Sequence, residues 1–191
     1  MRVVAFNGSP RPEGNTSRML DRVLSAIAAE GIDTEKVQLG GRLIRGCTAC
    51  GKCKQLKDSR CILPGDLIND CIQKMLNADG ILLGSPTYFS DLTSEMKAFI
   101  DRTGYVCRAN GDLLRRKAGA AVVSMRRAGG IHTFNSINHF FTVSQMMVVG
   151  SSYWNLGLGR DQGEVEQDTE GMETMQTLGE NMAWLIKRIQ S

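Results

Sequence analysis

Histidine is nearly absent: His132 and His139 are the only two in 191 residues, and neither keeps company with an Asp or Ser in an arrangement that would support hydrolase chemistry. Proline numbers four, and no Pro/Ser-rich linker or block of like charge divides the chain, so a single domain over residues 1–191 with a substantial core is expected. Net charge is small at +3, and the basic residues are scattered apart from short pairs such as Arg115-Arg116 and Arg126-Arg127, which excludes an obvious nucleic-acid surface. No charged leader precedes a long apolar stretch and no membrane signal follows, so a cytoplasmic protein with reduced thiols is expected. Two common nucleotide fingerprints are also missing, the Gly-x-Gly-x-x-Gly turn and the Gly-Lys-Ser/Thr phosphate loop. The nearest approach to the second, Gly46-x-x-x-x-Gly51-Lys52, continues with Cys53 and so has no hydroxyl for magnesium.

What is present begins at the N-terminus. Val3 to Phe6 suit a strand covered on both faces, and Met19, Leu20, Val23, Leu24, Ile27 and Ala28 then recur at helical spacing. Between them Gly8-Ser9-Pro10-Arg11 and Gly14-Asn15-Thr16-Ser17 crowd polar and glycine residues into one strand-to-helix turn. A helix start offers unpaired N–H groups and roughly half a positive charge, so an anion is stabilised there without a lysine. An ordinary cap needs one such residue; the excess of hydroxyl, amide and guanidinium groups points to a mononucleotide phosphate.

Apolar strand candidates alternate with amphipathic helix candidates along the chain, the pattern of an α/β protein with a parallel sheet covered by helices on both faces. Five strands are expected: the first, then Thr34 to Leu39, Gly80 to Gly84, Ala118 to Ser124 and Met146 to Val149. Helices are expected near residues 16–30, 66–77, 92–106, 131–144 and 168–189, the last with Asp168 as its cap and a methionine-rich stripe that reads as core. Open parallel sheets bind ligands outside the carboxyl ends of their strands. Three loops fall there: Asn7 to Asn15, Ser85 to Ser90, and Ser124 to Gly130. In the second, Pro86 stiffens the backbone while Tyr88 and Phe89 offer rings for a flat heterocycle. In the third, Arg126 and the Gly129-Gly130 pair offer charge and backbone donors.

The remaining concentration of chemistry is Cys47-x-x-Cys50-x-x-Cys53, followed by Cys61, inside a Gly/Lys-rich loop at residues 46–64. Four thiolates can hold a 4Fe-4S cluster, and two-residue gaps let successive sulfurs converge on one cuboid. Zinc also accepts four thiolates, but its ribbons present two separated Cys-x-x-Cys knuckles, whereas here three cysteines overlap at one spacing. The same thiols can also stand as an empty or oxidised loop. Cys71 lies on an apolar face with Ile68, Ile72 and Met75, and Cys107 sits near a helix end; both read as packing residues.

Taken together, Gly8-Ser9-Pro10-Arg11, Gly14-Asn15-Thr16, Ser85-Pro86-Thr87-Tyr88, Met96-Lys97 and Phe99-Ile100-Asp101-Arg102 resemble the NAD(P)H-dependent FMN reductases of the flavodoxin-like superfamily. The cysteine loop resembles that of the iron-sulfur flavoproteins within it. The resemblance implies a flavodoxin-like, doubly wound, five-stranded parallel sheet. It implies that Ser9, Arg11, Asn15, Thr16 and Ser17 hold the FMN phosphate and that Pro86, Thr87, Tyr88, Phe89 and Ser90 line the flavin ring, with Ser124, Arg126, Gly129 and Gly130 beside it. Cys47, Cys50, Cys53 and Cys61 would hold the cluster. The expected protein is an FMN-dependent oxidoreductase moving electrons, with NAD(P)H, a small-molecule donor or acceptor, or a ferredoxin-like protein as partner. An NAD(P)H-dependent FMN or quinone reductase without a cluster is the alternative, and a zinc or thiol redox-sensing module a distant one. The chemistry would belong to the cofactors, so no catalytic side chain is assigned. A homodimer or homotetramer is expected, with Phe140-Phe141 as an apolar contact.

Overall fold

The computed structural model describes residues 1–190. Strands β1 (Arg2–Asn7), β2 (Asp33–Gln38), β3 (Gly80–Pro86), β4 (Ala118–Met125), β5 (Met147–Val148) and β6 (Leu156–Leu158) form one parallel sheet in the order β2-β1-β3-β4-β5, with β6 also paired to β4. The sequence pattern anticipates this α/β, flavodoxin-like architecture, though not the division of its last edge. Ala118 and Gly119 of β4 pair with β5, and Val123 to Met125 pair with β6, so two short pieces share the fifth position. Residues 149–155 leave the sheet between them. Asn155, 2% exposed, closes the gap: its Nδ2 donates to the Ala121 carbonyl at 3.0 Å, and its own carbonyl accepts from Val123 N at 3.0 Å. A side-chain amide thus occupies a place that a strand backbone would fill. Leu156-Gly157-Leu158 is too short and too glycine-rich to announce itself as a strand.

Six helices flank the sheet among the described residues: α1 (Asn15–Ala29), α2 (Lys52–Leu56), α3 (Ile68–Leu76), α4 (Ser94–Ala109), α5 (Gly130–Val143) and α6 (Thr169–Gln190). Strand alternation sorts them into two layers. Val3, Ala5, Leu82, Ala120 and Val122 face α1 and α6, where Met19, Leu20, Val23, Ile27, Met175, Leu178, Met182 and Ile186 meet them. Val4, Phe6, Ile81, Leu83, Ala121 and Val123 face α3, α4 and α5. The buried methionines are core, as their spacing implied. Asp168 caps α6, its Oδ1 accepting from Gly171 N at 3.1 Å.

Two expectations change. Phe140 and Phe141 are both buried in the second layer, at 4% and 0% exposure, so neither has apolar surface left for a subunit contact. Helix α3 starts at Ile68, two residues later than expected, because Asp66 accepts from Ile68 N and turns its other oxygen to Arg102. Among the described residues no helix is long and apolar enough to cross a membrane.

The chain runs from β1 outward to β2 on one side and resumes at β3 on the other, so the strand order reverses at β1 and β3. A crevice opens outside their carboxyl ends at that switch. Both the loop that follows β1 and the cysteine loop that follows β2 leave the sheet at this edge.

Candidate cofactor site

Helix α1 starts without any side-chain cap: Gly14 stands at the N-cap in extended backbone, and its place in the turn leaves the first N–H groups facing a cleft. That cleft, about 170 Å³, is bounded by Ser9, Pro10, Arg11, Gly14, Asn15 and Thr16, by Pro86, Thr87 and Tyr88, by Ser124, Met125 and Arg126, and by Gly159 and Arg160. Among the described residues the guanidinium groups of Arg11, Arg126 and Arg160 have no hydrogen-bond or ion-pair partner in the chain. Uncapped N–H groups and three guanidinium groups, of which Arg160 also feels the Glu164 carboxylate, make an anion site.

The turn is rigged from behind. Asn7 Oδ1 accepts from Ser9 N at 3.1 Å, and Asn7 Nδ2 donates to Gln38 Oε1 at 2.8 Å. Gln38 Nε2 in turn donates to the carbonyls of Ser9 at 2.6 Å and Gly40 at 2.8 Å. Gly40 is forced by this closeness: a Cβ there would lie 2.2 Å from the Ser9 backbone. Thr93 joins the start of α4 to the same turn, its hydroxyl donating to Gly8 O at 2.9 Å. Across the cleft the hydroxyls of Thr16 and Ser124 are hydrogen-bonded at 2.7 Å, which ties the first loop to the third.

The cleft brings together nine of the fourteen residues the sequence nominates: Ser9, Arg11, Asn15, Thr16, Pro86, Thr87, Tyr88, Ser124 and Arg126. Asn15 lies there in another role. Its Nδ2 donates to Asp161 O at 3.0 Å and its Oδ1 accepts from Gly163 N at 2.9 Å, so the side chain anchors the loop bearing Arg160. Ser17 turns to the far side, where its hydroxyl accepts from Lys36 Nζ at 2.7 Å, one step of 100° round the helix from Thr16. Phe89 is fully exposed, Ser90 sits beyond it in left-handed backbone, and neither borders the cleft. Gly129 and Gly130 are drawn away by the start of α5. Gly159 and Arg160 were not nominated; the only sequence signal was a Gly-Arg pair after a short apolar stretch. The cleft is smaller than the ~300–1,000 Å³ of typical ligand pockets, and it opens beside the exposed Tyr88.

A second cavity, about 200 Å³, is bordered by Cys47, Cys50, Cys53 and Cys61 together, with Arg102, Tyr105 and Val106 of α4 behind them. Ala49 and Gly51 take left-handed backbone, which curls the loop so that its three closely spaced cysteines reach one space. All four are free thiols, as are Cys71 and Cys107. Burial pushes Cys71 and Cys107 up to about 12, which leaves them inert packing residues. Cys50 is moved the other way: the Lys52 backbone N–H, foremost, stabilises its thiolate. Among the described residues no three His, Cys, Asp or Glu side chains converge closely enough for a single ion; the four cysteines line one cavity instead. That donor set, soft and distributed round a cavity, fits a multi-iron cluster. Six basic side chains between Arg42 and Cys61, against Asp58 alone, make this segment electropositive.

The two sites are joined by α4. Thr93 touches the phosphate turn and Arg102 touches the cysteine loop, nine residues apart, or roughly 13 Å at the helical rise. His132 and His139 belong to neither site; His132 lies 3.5 Å from Asp91 on the surface.

The sequence profile of the NADPH-dependent FMN reductases matches residues 1–161. The chain belongs to that family. This FMN reductase relative is also 36% identical to an iron-sulfur flavoprotein of Methanocaldococcus jannaschii, over the whole of both chains. Its fold is similar to that of RosB, solved with bound 8-demethyl-8-formylriboflavin-5'-phosphate, at a TM-score of 0.77 and 16% identity, covering 100% of this chain and 80% of that one. It is also similar to an archaeal flavodoxin, at a TM-score of 0.62 and 17% identity, covering 98% and 99%. The chain is thus an FMN-dependent oxidoreductase of flavodoxin-like fold.

Proposed function

We propose that the chain is a single-domain electron-transfer flavoprotein in which FMN occupies the cleft at α1 and a 4Fe-4S cluster occupies the cysteine cavity. The observation that carries the cluster is the convergence of all four cysteines, and of no other thiol, on one cavity. The similarity to an iron-sulfur flavoprotein along the whole chain supports it.

The flavin supplies exchange between two-electron and one-electron chemistry, and the cluster supplies single-electron transfer. The residues do the rest. The N–H groups at the start of α1, with Arg11, Arg126 and Arg160, bind the phosphate; Ser9, Thr16 and Ser124 complete its hydrogen bonds. Pro86, Thr87 and Tyr88 lie beside the ring, and the exposed Phe89 and Ser90 extend that side. Ser17, Gly129 and Gly130 lie outside the cleft and take no part in holding the cofactor in this reading. Cys47, Cys50, Cys53 and Cys61 ligate iron. No acid or base is required of the protein, and none is assigned.

The donor is NAD(P)H or a small redox protein. The basic cysteine loop favours an acidic, ferredoxin-like partner near the cluster. A cytoplasmic homodimer or homotetramer fits this reading, with Tyr153 and Trp154, their rings tilted at 52° with centroids 4.9 Å apart and half-exposed, offering apolar surface where Phe140 and Phe141 do not.

One anaerobic experiment tests it: an ultraviolet-visible spectrum of freshly purified protein with iron, sulfide, zinc and FMN counted on the same sample. One FMN and four irons per chain are expected. Flavin without iron after reconstitution would leave a cluster-free reductase, and zinc without flavin would leave a metal or thiol module.

A further inference from the structure

Arg102 is the largest fully buried side chain among the described residues, with 0% of its side chain exposed. A guanidinium withdrawn from water needs its donors satisfied. All of its acceptors lie in the cysteine loop and its exit. Nε donates to the Cys61 sulfur at 3.4 Å, Nη1 to Arg45 O at 3.1 Å and to an Asp66 carboxylate oxygen, and Nη2 to Leu63 O at 3.2 Å. Arg45 precedes the first cysteine and Leu63 and Asp66 follow the last, so one side chain fastens both ends of the segment that carries all four thiols.

Packing alone does not call for this. Well-packed apolar residues often replace a buried ion pair at no loss of stability. A lysine would not serve either, because a single ammonium lacks the rigid fork that reaches four separated acceptors. The Cys61 backbone is held by a different group: Asn69 accepts from Cys61 N and donates to Cys61 O, both at 2.8 Å. The sulfur contact of Arg102 is therefore separable from the anchoring of the Cys61 backbone.

We propose that Arg102 is the positioning residue of the cysteine cavity: it closes the loop on both sides of the four thiols, and its N–H bond to the Cys61 sulfur raises the reduction potential of the cluster held there. The second half rests on the cluster reading above; the first does not. Donors aimed at a ligating sulfur stabilise the more negative, reduced form of a cluster. Asp66 opposes this by neutralising part of the guanidinium charge, so the two residues act on the potential with opposite sign.

The test uses the full chain, reconstituted anaerobically with iron and sulfide, in four forms: unaltered, Arg102→Gln, Arg102→Lys and Asp66→Asn. Cluster midpoint potential is read by spectroelectrochemical titration, with iron and FMN counted on each sample. Arg102→Gln is expected to disfavour reduction roughly tenfold, about 59 mV for a one-electron couple, and Arg102→Lys to move the same way. Asp66→Asn, which leaves Arg102 in place, is expected to raise the midpoint. Unchanged midpoints with full iron, or shifts of one sign in Arg102→Gln and Asp66→Asn alike, would overturn the electrostatic half. If Arg102→Gln fails to fold, the sign of the Asp66→Asn shift decides. If the unaltered protein takes up no iron, the cluster reading fails on its own account, and amide hydrogen exchange of iron-free protein decides the loop half. Exchange at the hydrogen-bonded loop amides of Lys54, Gln55, Lys57 and Cys61 should quicken at least tenfold in Arg102→Gln, or in Arg102→Lys if only that folds; unaltered exchange would overturn it.

Discussion

Replacing Asn15 with Ala separates two ways in which a polar residue at a phosphate turn can act. The side chain makes two good hydrogen bonds to the loop of residues 159–165, at 3.0 Å to Asp161 O and 2.9 Å to Gly163 N; a third, at 3.4 Å to Val165 N, is long enough to discount. At about 0.5–1.5 kcal/mol for each bond, the variant should lose about 1–3 kcal/mol of stability, read as a lower urea midpoint. The affinity effect is indirect. Arg160 on that loop borders the cleft with a guanidinium that makes no hydrogen bond within the chain, and a charge-assisted bond of about 1.5–3 kcal/mol corresponds to a roughly ten- to hundredfold change in Kd. FMN fluorescence quenching on apoprotein, measured for the unaltered chain, Asn15→Ala, Arg160→Ala and the double variant, forms a complete cycle. Each single variant should weaken binding, and the double variant should be little worse than Arg160→Ala alone. Fully additive losses would refute the reasoning, because they would place Asn15 on the phosphate itself. An Arg160→Ala variant with undiminished affinity would remove that residue from the site.

Three further outcomes are expected. Cys50→Ser should abolish cluster absorbance and lower iron content while leaving bound FMN unchanged; retained iron would take Cys50 off the ligand set. Gly40→Ala should weaken FMN binding, since its Cβ would fall 2.2 Å from the Ser9 backbone and only movement of the phosphate turn can relieve that; the cost in stability, about 1–3 kcal/mol, is checked by chemical denaturation. Glu35→Gln carries a pH signature. The Lys74 hydrogen bond, working against partial burial and aided by Arg2, holds Glu35 below its ordinary 4.5. A depressed carboxyl stabilises the fold above that value and ceases to do so as pH falls through its native one. The variant should therefore be less stable by up to about 1 kcal/mol at pH 7 and indistinguishable near pH 2; a difference that persists there would refute the ion-pair account.

The architecture was legible because the residues that build it act locally. Val3 to Phe6 carry the two-faced apolar run of a buried central strand, and Met19 to Ile27 repeat at helical spacing, so strand, turn and helix follow from one short stretch. The cysteine cavity was legible for the same reason. What the sequence hid depends on partners far along the chain. Asn15 meets Asp161 and Gly163, about 150 positions away, and nothing near Asn15 signals that its amide is engaged. Phe140-Phe141 resembled a surface contact because adjacent helical residues point 100° apart, yet the sheet and α4 cover both. Arg102 stood in a recognisable motif, but a charged residue within an amphipathic helix reads as solvent-facing until the loop that buries it is in place.

The break in the sheet's last edge bears on how the protein behaves in a crowded solution. An unpaired edge of a parallel sheet is a template on which a second chain can add a strand and begin to aggregate. Here an incoming strand would find two residues of ladder at β5, then the projecting segment 149–155, with Asn155 already occupying the Ala121 carbonyl, and only three more residues at β6. At this edge no run long enough to seed such growth remains, so the irregularity that hid β6 from the sequence also blunts that side of the sheet against strand addition, and the six-residue β2 is left as the one long edge among the described residues.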